Sequence, residues 1–237
     1  MKNLHLEHPE DSILGGDLTV LDWFTSIDNT ISAKIDGSPA IVWGTEPKTG
    51  KFFVGTKSVF NKKLIKINYD HETINKNHQG EVADILHKCL DFLPVTTGIY
   101  QGDFIGFGGD FSFRPNTITY DFPEELSQEV ILAPHTFYTT ESGDLRDAIA
   151  HPLESRLCDT PDVMFVQPVV ILDKDRQDIV DLCKFARQMA TLCEFPKDNA
   201  TINRIKKQIN VCIREDIEID ELTQDALAHD NKVDVNV

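Results

Sequence analysis

The hydrophobic pattern of the chain changes near residue 172, and this change most constrains the fold. Upstream of it, short runs rich in β-branched and aromatic residues alternate with Gly, Pro and Asp turns, which is typical of strands in an antiparallel sheet. From Asp175 onward, apolar residues recur at helical spacing. The sequence therefore predicts an α+β fold, with an antiparallel-sheet domain over residues 1–172 and a helical appendage with an acidic tail over residues 173–237.

Individual elements follow from the same patterns. Asp17 is predicted to be the N-cap of a short helix, and Glu81–Leu93 is predicted to be a helix with one apolar face. The segment Glu46–Gly50 carries turn residues and predicts a hairpin. A loop rich in Gly, Asp and Phe is expected after Phe107. The predicted strands are Ile31–Ala33, Ala40–Trp43, Phe52–Thr56, Gly98–Phe107, Thr117–Phe122, Val130–Tyr138 and Val163–Leu172.

The chain is acidic, since 23 Lys and Arg residues stand against 39 Asp and Glu residues, a formal net charge of −16. This balance argues against a protein that coats nucleic acid or a membrane surface through its overall charge. No apolar run approaches the ~20 residues that span a bilayer. The segment Met1–Glu10 lacks the apolar core of a signal peptide. We therefore expect no membrane partner and a cytoplasmic location.

The cysteine content favours reduced thiols. There are five cysteines, an odd number, and none forms a C-x-x-C pair, so buried and reduced side chains are expected. His5 and His8 are three residues apart, but no second ligand pair follows at the spacing of a zinc site. The cysteines are Cys89, Cys158, Cys183, Cys193 and Cys212.

The segment Ser32–Pro39 is the strongest chemical motif, because an aspartate stands two residues after a lysine and a glycine directly follows the aspartate. In a strand, Lys34 and Asp36 would project from the same face, and Gly37 would allow a tight backbone turn. A lysine amine is a nucleophile only when neutral, and it could then attack the α-phosphorus of a nucleoside triphosphate. An exposed turn with a solvated lysine is the alternative interpretation.

The run Lys34–Ser38 resembles the lysine motif of covalent nucleotidyltransferases, the superfamily of ATP-dependent polynucleotide ligases and mRNA capping enzymes. It looks most like the motif of bacteriophage RNA ligases. The resemblance implies a ligase-like nucleotidyltransferase domain in which Lys34 becomes adenylylated, with Asp36 and Gly37 beside the nucleotide. It also implies ATP and Mg²⁺ as cofactors.

Two downstream segments extend this resemblance in the expected order. Gly55–Ser58 stands where the family carries a basic residue after a hairpin, which implies that Lys57 contacts a phosphate. Tyr100–Phe104 stands where the family has a strand ending in a carboxylate, which implies that Asp103 binds the ribose or the metal ion. The family usually has glutamate there, and aspartate is shorter by one methylene.

The later motifs of the family are only partly represented. Arg114–Tyr120 resembles the segment that follows the carboxylate in phage RNA ligases, which implies that Tyr120 or Phe122 faces the nucleotide. Val169–Lys174 is the best surrogate for the strand whose lysine grips the α-phosphate, which would be Lys174. The chain contains no Glu-Gly dipeptide, although the family normally has one on a metal-binding strand.

These observations favour an ATP-dependent polynucleotide ligase, with RNA preferred over DNA as the substrate. Residues 31–120 also resemble uncharacterised ligase-like proteins of large tailed phages, which would place the protein in the host cytoplasm. The acid-free lysine run Lys48–Lys66 would form a local basic patch for nucleic acid. The alternative is a catalytically incomplete chain that serves as a binding subunit or phage interaction protein, or whose missing motif a second chain supplies. A guanylyltransferase is a third option.

Overall fold

The computed structural model describes residues 9–26, 34–167, 177–192 and 198–232. The chain divides into two compact units, one comprising residues 1–6 and 33–169 and the other comprising residues 7–32 and 170–237. The predicted α+β class with antiparallel strands is confirmed. The N-terminal helices group with the C-terminal helices, whereas the sequence pattern assigns them to the sheet domain.

The sheet unit is built on a six-stranded sheet of order β2-β1-β3-β6-β7, in which β8 pairs in parallel with β6 and the other pairs are antiparallel. The two remaining strands, β4 and β5, form a separate antiparallel ribbon. The strands are β1 (Ala40–Thr45), β2 (Phe52–Gly55), β3 (Ile99–Gly106), β4 (Asp110–Phe113), β5 (Tyr120–Leu126), β6 (Val130–Thr139), β7 (Ile149–Pro152) and β8 (Val163–Phe165).

One face of the sheet is covered by a helix, and the apolar pattern of that helix explains why. The helices in this unit are α3 (His71–Asn77) and α4 (Glu81–Phe92). Apolar residues of α4 recur three and four positions apart and are buried together with Trp43 and Phe104 of the sheet. This confirms the predicted helix, which ends at a Leu93-Pro94 step that stops it.

The opposite face of the sheet has its own core, and it also carries the candidate site. Val42, Phe53 and Ile99 pack there against Phe60 from a short 3-10 helix, Lys57–Phe60. Side chains alternate between the two faces of a strand, so Gln101 and Asp103 of β3 lie on the same face as Ile99. Polar residues therefore continue the line of this core toward the end of β3.

The second unit is helical. Asp198 and Asp220 cap two of its helices through bonds from the backbone N–H groups of Thr201 and Thr223. None of the described helices is long and apolar enough to cross a membrane. The helices of this unit are α1 (Pro9–Leu14), α2 (Thr19–Thr25), α5 (Gln177–Leu192), α6 (Asn199–Arg214) and α7 (Glu221–Asn231).

Several predicted elements need correction. The cap of α2 is Leu18 and not Asp17, although the Asp17 carboxylate accepts a bond of 3.0 Å from the N–H of Thr19. The predicted strand at Thr117 starts at Tyr120, because residues 114–119 form the connection between β4 and β5. The segment expected to be a loop contains β4, whose Asp110 side chain organises the turn into the strand.

Other predictions concern burial or residues outside the described ranges. Cys89 and Cys212 are buried as expected, whereas Cys158 is exposed and Cys183 is partly exposed. The last predicted strand of the sheet ends at Phe165. Residues 166–167 of that prediction are not in a strand. The following predictions lie outside the described residues: residues 168–172 of that strand, the predicted strand Ile31–Ala33, His5, His8, Cys193 and Lys174.

Candidate active site

The centre of the candidate site is the Lys34 ammonium, which lies between two carboxylates. Its Nζ is 2.7 Å from Oδ2 of Asp103 and 3.3 Å from Oδ1 of Asp36. The side chain of Asp103 is 8% exposed, whereas those of Lys34 and Asp36 are each 47% exposed. The site is therefore an ion-paired lysine at the surface above a buried anion.

Backbone pairing places the lysine motif against β3. The N–H of Ser38 donates to the carbonyl of Phe104 at 3.0 Å, and the N–H of Phe104 donates to the carbonyl of Pro39 at 3.0 Å. A Cβ at Gly37 would lie 2.3 Å from the Phe104 carbonyl oxygen. Only glycine allows this close approach, which gives Gly37 a packing role beside Asp103.

A β-bulge brings a histidine to the same carboxylate. Gln101 pairs with Thr136 and Gly102 pairs with Pro134, so His135 is an extra residue on β6. Its Nε2 lies 3.5 Å from Oδ1 of Asp103, and its Nδ1 lies 2.7 Å from the Thr136 hydroxyl. In the sequence, His135 is a possible phosphate contact or a satisfied strand-end histidine, and the structure shows it contacting Asp103.

The connection between β4 and β5 fixes the position of Asp36. The Tyr120 hydroxyl accepts a bond of 2.9 Å from the N–H of Asp36 and donates one of 3.1 Å to its carbonyl oxygen. Nδ2 of Asn116 donates to Oδ2 of Asp36 at 2.6 Å. The phenol of Tyr120 is thus engaged with the backbone of the lysine motif, a positioning role that the sequence did not indicate.

The charge states of the central pair follow from these contacts. Burial alone would raise the pKa of Asp103, but the hydrogen bonds from His135 and Lys34 outweigh it and hold that pKa below its ordinary value. Burial alone would lower the pKa of Lys34, but the contacts with Asp103 and then Asp36 outweigh it and raise that pKa. At neutral pH, Lys34 is therefore an ammonium and Asp103 a carboxylate.

The predicted phosphate ligand lies at the same end of the sheet. β2 ends at Gly55, which pairs with Val42, and Asp103 pairs with Ala40 two residues before Val42, so the chain leaves β2 at the end of the sheet that carries Asp103. Lys57 then begins the short 3-10 helix. The side chain of Lys57 is exposed.

The predicted lysine patch is divided by the fold. Lys48 and Lys51 lie at the turn between β1 and β2, roughly 17 Å along the strands from the end that carries Asp103. Lys48 pairs with Asp144 at 2.7 Å, and Lys51 lies over the ring of Tyr69. The sequence interpretation places the whole lysine patch beside Lys34, but these two lysines do not adjoin it. Of the remaining lysines, Lys57, Lys62 and Lys63 are exposed, and the amine of Lys66 bonds to the Asn77 carbonyl.

The donor set at this site suits only one mode of metal binding. Within the described ranges, no three His, Cys, Asp or Glu side chains converge closely enough to hold an ion. Asp36 and Asp103 could supply one or two carboxylates, and Mg²⁺ is often bound by that number together with waters and substrate phosphates. The site therefore fits Mg²⁺ that arrives with a nucleotide, and Asp103 is the carboxylate nearest the lysine.

Comparison with known proteins gives a family and no function. A family model described as "Family of unknown function (DUF6267)" matches residues 3–237. The chain belongs to this family. No curated protein and no solved structure matches it. The DUF6267 chain therefore has to be interpreted from its own residues.

The structure brings together five of the residues that the sequence singled out, namely Lys34, Asp36, Gly37, Asp103 and Tyr120. It adds Asn116 and His135 as direct neighbours of the two carboxylates. The sequence carries no readable signal for the bulge at His135. Of the other predicted ligands, Lys57 is exposed at the start of the 3-10 helix, and Lys174 lies outside the described residues.

Proposed function

We propose that this DUF6267 protein is a covalent nucleotidyltransferase that uses ATP and Mg²⁺ and acts as a polynucleotide ligase, with RNA as the preferred substrate class. The observation that carries the proposal is the Lys34 amine, 2.7 Å from the buried Asp103 carboxylate, in a motif whose backbone is fixed by Tyr120. A solvated lysine on an unconstrained turn would not need a buried counter-charge or a backbone held from both sides.

In the first step, Nζ of Lys34 forms a bond to the α-phosphorus of ATP, and the bond from that phosphorus to the pyrophosphate oxygen breaks. The product is a lysyl-AMP phosphoramidate, and pyrophosphate leaves with the electrons of the broken bond. The ammonium must lose a proton before it attacks. The carboxylates of Asp103 and Asp36 raise the pKa of Lys34. Binding of Mg²⁺ to these carboxylates would neutralise their charge and lower the pKa of Lys34, so that the amine could become the neutral nucleophile.

Each neighbouring residue has a defined part in this proposal. Asp103 and Asp36 would hold Mg²⁺, which would neutralise charge on the phosphates. Gly37 lets the motif approach β3, and Lys57 would bind a phosphate from the adjoining strand end. Tyr120 acts by holding the backbone of Asp36, since its hydroxyl is already bonded there. Lys174 is retained from the sequence as a candidate α-phosphate ligand.

In the second step, the 5′-phosphate of a nucleic acid strand would displace Lys34 from AMP, and a 3′-hydroxyl would then displace AMP. The exposed lysines Lys57, Lys62 and Lys63 follow β2 at the end of the sheet that carries Asp103, and they would contact the strand. The basic patch formed by these three lysines predicts that nucleic acid binding depends on salt, because lysine–phosphate contacts release counterions. The missing Glu-Gly motif could be supplied by a second chain.

A second candidate function is a nucleotide- or nucleic-acid-binding subunit that keeps this pocket without catalysis. The raised pKa of Lys34 specifically favours it, since a stable ion pair with Asp103 positions a cation for phosphate without a covalent step. This candidate predicts nucleotide binding without a covalent product.

Radioactive labelling separates the two candidates. The pure protein is incubated with α-labelled ATP and Mg²⁺ and run on a denaturing gel. The enzyme predicts a labelled band that is lost in Lys34→Arg, which keeps the charge, and retained in Lys76→Arg, a matched control on the exposed face of α3. Absence of label with ATP and GTP, while both nucleotides still bind, would favour the binding subunit and end the enzyme proposal.

A further inference from the structure

Four polar side chains form a symmetrical cluster between α3 and α4, outside the site described above. His71 and Asn75 lie four residues apart on α3, and His87 and Asp91 lie four residues apart on α4. Residues at that spacing share a helix face. The imidazole rings meet edge to edge, with their planes 29° apart, their centroids 4.9 Å apart and their Nδ1 atoms 2.7 Å apart.

Each histidine is oriented by a partner on the opposite helix. Nε2 of His71 is 3.0 Å from Oδ1 of Asp91, and Nε2 of His87 is 3.0 Å from Oδ1 of Asn75. With Oδ1 of Asn75 placed toward His87, both partners are acceptors only, so in this arrangement each Nε2 carries a hydrogen and donates it. In a neutral imidazole the other nitrogen is then the acceptor, which leaves the Nδ1 lone pairs of His71 and His87 facing each other.

Two lone pairs at 2.7 Å repel unless a positive charge lies between them. We propose that Nδ1 of His71 and Nδ1 of His87 are the ligands of a divalent transition-metal ion of the zinc class, with Asp91 and Asn75 as the outer partners that fix both rings. Metal-bound histidines almost always donate their other ring N–H to a carboxylate, a carbonyl or water, which is the arrangement seen here.

The chemistry of the pair selects the metal class. Neutral imidazole suits Zn²⁺, Cu²⁺ and Ni²⁺, whereas Mg²⁺ and Ca²⁺ prefer oxygen ligands. A tetrahedral zinc centre with Zn–N bonds of about 2.0–2.1 Å holds its nitrogens about 3.3 Å apart, so the rings would separate by about 0.6 Å. The His71 side chain is 53% exposed, which leaves room for that movement and for waters to complete the coordination.

Calorimetry of the full-length protein with ZnCl₂, and with MgCl₂ as a comparison, tests the proposal. We expect saturable binding of one Zn²⁺ per chain and none of Mg²⁺ at this site. His71→Ala and His87→Ala should each weaken zinc binding at least tenfold. Asp91→Ala, which removes an outer partner and no ligand, should weaken it about 10–100-fold.

Two controls exclude other histidines. His151→Ala changes a histidine that bonds to Thr139 elsewhere in the sheet unit, and the double variant His5→Ala/His8→Ala removes the N-terminal pair. Both should bind zinc as the wild type does. Zinc binding that is lost in the N-terminal variant and unchanged in His71→Ala would overturn the proposal.

Nitrogen NMR of the wild-type imidazoles gives a result that does not depend on any variant folding. The proposal predicts Nε2–H tautomers at both rings and a zinc-induced shift of both Nδ1 signals. An Nδ1–H on either ring that persists in saturating ZnCl₂ would show that a proton alone bridges the rings, and the metal site would be refuted.

Discussion

Replacing Asp103 by asparagine should destabilise the sheet unit, because it removes the charge and leaves the shape. The carboxylate is buried, and it accepts a hydrogen bond of 2.7 Å from the Lys34 ammonium. It also faces Nε2 of His135 at 3.5 Å. Asparagine keeps one acceptor oxygen, so the bond to Lys34 can persist as an interaction between an ammonium and a neutral amide.

The magnitude follows from the kind of bond that is exchanged. A hydrogen bond to a charged group contributes about 1.5–3 kcal/mol, and the variant keeps the charge of the donor while it removes the charge of the acceptor, so part of this contribution is lost. The Lys34 side chain is 47% exposed, so solvent screens the charge interaction and the lower part of the range applies. We therefore expect Asp103→Asn to lower the free energy of unfolding by about 1–2 kcal/mol at neutral pH.

The pH dependence of this difference is a sharper test than its size. The folded-state pKa of Asp103 is below its ordinary value of 3.8, so its contribution is present above pH 3.8 and lost as pH falls through the folded pKa. The folded-state pKa of Lys34 is above its ordinary value of 10.5, so its contribution is present below pH 10.5 and lost as pH rises through the folded pKa. The difference between wild type and variant should be constant between these limits and shrink outside them.

Urea unfolding followed by tryptophan fluorescence measures this difference in the sheet unit alone. The chain has two tryptophans, Trp23 and Trp43, and only Trp43 lies in the sheet. A Trp23→Phe background therefore makes the signal report on the unit that contains Asp103. The matched control is Asp162→Asn at an exposed carboxylate, which should change stability by less than about 0.5 kcal/mol. An Asp103→Asn difference that stays the same down to about pH 3 would refute the assigned charge states.

Three further outcomes are expected. Tyr120→Phe removes both bonds to the Asp36 backbone and should cost about 1–3 kcal/mol, with faster amide hydrogen exchange at Asp36; unchanged exchange would contradict the positioning role. Gly37→Ala places a Cβ 2.3 Å from the Phe104 carbonyl oxygen and should destabilise the sheet unit by about 1–3 kcal/mol in the urea assay, so wild-type stability would argue against the close approach. Burial raises the pKa of the Cys89 thiol, so this cysteine should react with a thiol reagent only on unfolding; rapid labelling of the native protein would disprove its burial.

The local sequence pattern was sufficient to predict the elements whose burial follows directly from the spacing of their apolar residues. The hairpin of β1 and β2 followed from two β-rich runs around a Pro and Gly turn, and α4 followed from one apolar stripe. Helix α4 packs one face on the core, whereas the two hairpin strands are buried on both faces and carry continuous apolar runs, so burial agrees with the sequence pattern in each case. Lys34, Asp36 and Asp103 were identified by motif, and the structure places them in contact.

Features that depend on distant parts of the chain were not predictable in this way. The bulge at His135 arises from the register between β3 and β6, which no local run of residues encodes. The contacts of Tyr120 and Asn116 with Asp36 join residues 80 or more positions apart. Helix α5 shows the opposite failure, because Cys183 on this helix was predicted to be buried and none of the described residues of the helix is buried.

Peptide mapping by mass spectrometry after incubation with ATP and Mg²⁺ tests the central claim most directly. The proposal predicts one adenylyl group on the peptide that carries Lys34, formed only when both ATP and Mg²⁺ are present and absent in Lys34→Arg. It also predicts that adding pyrophosphate removes the adduct, because the first step is reversible. A protein that binds ATP but carries no adduct, or an adduct that persists in Lys34→Arg, would contradict it.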